Sequence, residues 1–146
     1  MGVIRRIFKR IFTTSVGITD SRISSVEELS LRISGMRSEV IYELTENDGR
    51  AAITLYRITP YEKLLEKNVM CDTGDILNLL NSCGVMGWNG FHGKHPRGVL
   101  DGDMFDFCAR VNGGVVIKAD GSANYPKGYH EFVRTLNLML AENIDD

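Results

Sequence analysis

The chain is poor in the residues from which compact chemical motifs are built. Its 146 residues include three cysteines, three prolines, three histidines and one tryptophan. Cys71, Cys83 and Cys108 are an odd set, spaced too widely for a disulfide framework or a CxxC zinc knuckle. Each lies among apolar residues, the pattern of small buried thiols in a reducing compartment. No apolar run approaches the ~18 residues that span a bilayer. Arg5, Arg6, Lys9 and Arg10 interrupt any secretory h-region. A cytoplasmic location is the expectation. GxSxG, HExxH and P-loop patterns are missing, so no catalytic residue and no cofactor is expected.

What is present fits one ordinary domain. Hydrophobic residues make up 43% and charged residues 25%, close to the globular average. A chain of this length buries roughly 70% of its unfolded surface and needs no metal or disulfide to hold a core. The formal net charge of −2 argues against nucleic acid as a partner. That total conceals an asymmetry. Residues 1–12 hold four of the 17 basic side chains and none of the 19 acidic ones, so a +4 arm precedes a −6 body.

In the arm, Val3, Ile4, Ile7, Phe8, Ile11 and Phe12 alternate in pairs with Arg5, Arg6, Lys9 and Arg10. At about 100° per residue this spacing predicts a short N-terminal amphipathic helix with one apolar and one basic half. Such a helix suits an anionic membrane surface, where each cation contributes about 1 kcal/mol. It equally suits a protein groove, either on the chain's own body or on a second copy that exchanges arms in a homo-oligomer. Twelve residues are marginally helical alone, so a partner surface is needed to fix them. Arg6 stands where a myristoyl acceptor wants Ser or Thr. Residues 13–25, rich in Ser and Thr, read as a linker, 26–142 as a single domain and 143–146 as a tail.

The body reads as α+β. The alternation in Leu29–Ile33 predicts a strand. Val40–Thr45 and Ala51–Ile58 flank the turn Asn47-Asp48-Gly49 and predict a hairpin, closed by Thr59-Pro60. Residues 61–71 fit either a helical turn or a short strand. Asp72-Thr73-Gly74-Asp75 offers a capping side chain and a first-turn acid for a helix carrying Ile76, Leu79, Leu80 and Cys83, ended by Gly84. Phe105, Phe107, Ala109 and Val111, the turn Asn112-Gly113-Gly114, then Val115, Ile117 and Ala119 predict a second hairpin. Pro126 opens a final helix with the stripe Tyr129, Phe132, Val133, Leu136, Met139 and Leu140. His130 is expected partly buried at the edge of that stripe. The sum is an antiparallel sheet of about five strands, in two hairpins and one further strand, with two amphipathic helices on one face.

Residues 84–103 carry six of the 15 glycines, the tryptophan and two of the histidines. Long connections of this kind are uncommon in compact domains unless functional. The expected binding loop is Trp88, Asn89, Phe91, His92, His95 and Arg97, with Trp88 and Phe91 as an aromatic patch for a protein partner. For one or both of those rings, plugging the end of the sheet is the favoured role over the patch. A metal- or anion-using enzyme is the alternative. Its weak ligand set is His92, His95, Asp101 and Asp103, or an anion cradle of Gly87, Gly90 and Gly93 with Lys94 and Arg97.

Several of these motifs also occur together elsewhere. Trp88-Asn89-Gly90-Phe91, Val99-Leu100-Asp101-Gly102, Phe105, Asn112-Gly113-Gly114, Ile117-x-Ala119-x-Gly121-Ser122 and Tyr125-Pro126-x2-Tyr129-x-Glu131-Phe132 resemble a family of small uncharacterised proteins of clostridia and related gut Firmicutes. The resemblance covers residues 28–141. It implies strands, a helix, the tryptophan loop, a hairpin and a C-terminal helix, and brings no activity or ligand. The leading expectation is therefore a non-enzymatic binding module, peripheral to the cytoplasmic membrane face through residues 3–12. A structural oligomer with a swapped arm is the further alternative.

Overall fold

A computed structural model describes residues 22–142. Four strands come first: β1 (Val26–Ser34), β2 (Glu39–Asn47), β3 (Arg50–Ile58) and β4 (Lys63–Asp72). Helix α1 (Thr73–Ser82) and a 3-10 turn (Val85–Trp88) lead to the two-residue strand β5 (His92–Gly93). The hairpin β6 (Met104–Val111) and β7 (Val115–Ser122) follows, and α2 (Tyr129–Glu142) ends the described chain. The strands form one sheet in the order β4-β3-β2-β1-β6-β7-β5. Among the described strands only β5, beside β7, pairs in parallel.

Alternation sets which face is buried. In β6, Phe105, Phe107, Ala109 and Val111 are buried, while Met104, Asp106, Cys108 and Arg110 are exposed. Register places Leu31 of β1 between Tyr42 of β2 and Phe107 of β6, so one apolar layer runs across the sheet. Ile76, Leu79 and Leu80 of α1 join that core, with Tyr129, Phe132, Leu136 and Leu140 of α2. The opposite face is open and carries ion pairs such as Arg110–Glu28 (2.8 Å) and Lys63–Glu43 (3.1 Å). These pairs are about half exposed and contribute roughly 0–1 kcal/mol each.

The α+β class, the two hairpins and both helices agree with the sequence reading, but the sheet has seven strands rather than about five. Residues 63–72 resolve as β4, an edge strand whose register to β3 shifts at Leu55/Tyr56. An edge strand buries little, and only Val69 of β4 is fully buried, so its alternation is faint. Strand β5 is too short to leave a pattern. The side chain of Asp72 does not cap α1; it pairs with Arg50 at 3.0 Å. Cys83 is buried, but Cys71 is half-buried and Cys108 exposed, because Cys108 points to the open face of β6. His130 is exposed and sits edge-on to Tyr125.

Part of the expected linker belongs to the body. Ile23 is completely buried, its N–H donating to Asn81 Oδ1 (2.8 Å) and its carbonyl accepting from Asn81 Nδ2 (2.9 Å). The amphipathic arm at 3–12, residues 13–21 and the tail lie outside the described residues.

Candidate functional site at the loop end of the sheet

Three connections share one end of the sheet. These are the β1–β2 turn, the β3–β4 turn and the segment that enters β6, which the pairing of Ser34 with Met104 brings beside β1. The long segment 84–103 reaches this end in two stretches with opposite characters.

The first stretch is structural. Trp88 is 2% exposed and donates its Nε1–H to the Lys127 carbonyl at 2.9 Å. Its ring meets Phe107 and Phe132 edge-on, at 5.0 and 5.5 Å between centroids. Trp88 is therefore removed from the expected binding loop: it plugs the core between sheet and α2. Asn89 Oδ1 accepts the Lys118 N–H (2.9 Å), Gly90 N–H donates to the Lys118 carbonyl (2.8 Å), and Asp120 N–H donates to the Phe91 carbonyl (3.0 Å). These bonds lie along the edge of β7 and satisfy backbone groups that an open edge would leave unpaired. Phe91 is half-buried against Phe105, 6.3 Å between centroids. A Cβ on Gly93 would come within 2.5 Å of the Asn124 carbonyl oxygen, so only glycine lets β5 lie this close to the chain after β7.

The second stretch is fastened at its root and presents its middle. His95 Nε2–H donates to the Val99 carbonyl (2.6 Å), and its Nδ1 accepts the Ser122 hydroxyl proton (2.8 Å). A carbonyl only accepts, so this geometry selects the Nε2–H tautomer. Within that clasp Val99 N–H donates to the Pro96 carbonyl (3.3 Å) and Gly98 has φ +84°, as position i+2 of a type II turn requires. The Asp103 carbonyl accepts from Ala123 N–H (2.8 Å) and from the Tyr125 hydroxyl (3.1 Å). Burial, and then the nearby Asp103 carboxylate, push the Tyr125 phenol above its usual range.

Between these two anchors stands Leu100, 97% exposed, with Val99 at 41%. Met36 on the β1–β2 turn is 81% exposed, Tyr61 on the β3–β4 turn 93%, and Met104 at the start of β6 56%. Half of the ten large hydrophobic residues that the described chain exposes therefore gather at this one end. Arg37, Lys94, Arg97 and Asp101 are exposed among them. The sequence reading missed Met36, Tyr61, Leu100 and Met104. An available signal was a lone bulky apolar residue inside a turn, where burial is topologically unavailable.

The expected ligand sets are not assembled. His92 pairs with Asp120 through Nδ1, while both ring nitrogens of His95 are engaged within the protein. No three His, Cys, Asp or Glu side chains converge on a common point among the described residues. Two N–H groups of the anion cradle are already used: Gly87 donates to the Gly84 carbonyl and Gly90 to that of Lys118. Of the expected loop residues, Arg97 is exposed, His92 is exposed with its Nδ1 held by Asp120, His95 is exposed but fastened, and Asn89 is a strut. No helix among the described residues is long and apolar enough to cross a membrane. Comparison with protein-family models, curated proteins and solved structures finds no match.

Proposed function

We propose that the protein is a binding module that docks a protein partner on the loop end of its sheet. One observation supports this above others. Met36, Tyr61, Val99, Leu100 and Met104 hold large apolar surfaces in water at a single end, on connections that hydrogen bonds keep in place. Clustered exposed hydrophobics mark interaction sites, whereas scattered single ones need no explanation. A loop already ordered before contact loses less entropy on binding. Arg37 on the β1–β2 turn and Arg97 on the segment before β6 are exposed on the same connections, as in the polar rim of an interface.

The test is photo-crosslinking in the native host with a photoreactive residue at position 36, 61 or 100, and at Leu138 as control. Leu138 is 51% exposed but lies on α2. The reading expects one discrete adduct shared by the three loop positions and missing at 138. Failure of all three positions to form an adduct would sink it.

A further inference from the structure

We propose that the groove between α1, α2 and the edge strand β4 is the docking site of the chain's own N-terminal arm, residues 3–12. The groove has a volume of about 610 Å³. Val69 and Cys71 of β4, Leu79 of α1 and Met139 of α2 provide its apolar lining. Asp75 and Glu131 add two carboxylates, and no lysine or arginine among the described residues lines it. Glu131 is held by Arg134 at 2.6 Å, while Asp75 forms no salt bridge among the described residues.

Charge and chain length select the arm as occupant. The groove is apolar and acidic, and the arm presents Ile4, Ile7, Phe8 and Ile11 beside four cations. The two patterns are complementary as a helix-in-groove pair. Chain length permits the contact. Ile23 is fixed to Asn81 of α1, and the groove uses Asn78 and Ser82 of that same helix. Asn78 and Asn81, three residues apart, are neighbours on the helix surface, so the groove begins within one helix diameter of Ile23, about 10–12 Å. Residues 13–22, between the arm and Ile23, extend to about 33 Å, enough to span that distance. A tether of that length gives an effective concentration on the order of millimolar, so a weak contact is populated without a second copy.

Two of the cysteines supply the assay. Cys71 lines the groove and is half-buried, whereas Cys108 is exposed on the opposite face of the sheet as an internal reference. Maleimide labelling at each thiol, read by peptide mass spectrometry, is compared between the full chain and a variant lacking residues 2–12. Deletion should raise Cys71 labelling relative to Cys108 about tenfold, as a ten-to-one closed population implies. An unchanged ratio overturns the proposal.

Asp75→Lys should abolish the difference between full and shortened chains. Because the shortened chain carries the same substitution, any direct effect of Asp75 on the thiol cancels. A difference that survives Asp75→Lys overturns the charge argument. Protection that falls away on dilution assigns the groove to the arm of a second copy and overturns the intramolecular docking. Cys71 unprotected in the full chain, together with arm-dependent sedimentation on phosphatidylglycerol vesicles, assigns the arm to lipid and also overturns it. None of these outcomes depends on the loop-end partner.

Discussion

Residues 84–93 and 94–103 are two stretches of one glycine-rich connection, with comparable sequence character and opposite fates. The first lies against the sheet, spends its backbone groups on β7 and drives Trp88 into the core. The second is fastened through His95 and the Asp103 carbonyl and leaves Leu100 in water. Glycine serves close approach in the first, at Gly93, and a left-handed turn in the second, at Gly98. The difference shows that a compositional signal for a loop site locates a region without saying which side chains face outward.

The contrast is most sharply tested at Trp88. Trp88→Ala should destabilise the fold by about 3–5 kcal/mol in denaturant unfolding, since it deletes a large buried ring and orphans the Lys127 carbonyl. A loss below about 1 kcal/mol would mean that the first stretch is no plug. Gly93→Ala comes next, at about 1–3 kcal/mol, because the new methyl meets the Asn124 carbonyl oxygen at 2.5 Å, a backbone atom, as well as the Phe91 ring at 2.8 Å. Asn89→Ala should cost about 1 kcal/mol, read in the same way, by removing the acceptor for Lys118 N–H. Leu100→Ser should change stability by less than about 0.5 kcal/mol while abolishing the expected adducts at positions 36 and 61. If it unfolds the protein instead, the two stretches are alike and the comparison fails.

Two buried phenols add a pH test. Burial raises the phenols of Tyr42 and Tyr129 above their ordinary value of 10.0, in Tyr129 with a smaller contribution from Tyr125. A raised folded value means that the folded state holds these protons more tightly. Their contribution is complete below about pH 10 and is lost as the pH climbs above it. Tyr129→Phe should flatten the alkaline limb of a stability–pH curve and leave its neutral part nearly parallel to the wild type. An unchanged alkaline slope would remove Tyr129 as the cause.

Much of the architecture was legible in the chain. The strict alternation of Phe105 to Val111, the Asn112-Gly113-Gly114 turn and the stripe from Tyr129 to Leu140 each place one apolar face, and burial follows them. Gly84 takes the left-handed conformation that its position after α1 suggests. Strand β4 was ambiguous because an edge strand buries few of its residues. Strand β5 was invisible because two residues have no period. Neither carries an amphipathic signal strong enough to separate it from a turn.

The candidate site was less legible. His92 and Arg97 are accessible as expected, but Trp88 is core and Asn89 a strut. Met36 and Tyr61 lie 39 or more residues from Leu100 in sequence, and only the sheet order brings their turns to one end. Local pattern by itself determined the α+β class, the hairpins, the helix faces and the +4 arm on a −6 body. Tertiary structure decided which half of the glycine-rich segment is buried, how far the edge strands extend, and which distant turns form one surface. The physical reason is range: propensity and periodicity act over a few residues, while burial and docking depend on neighbours that only the closed sheet supplies.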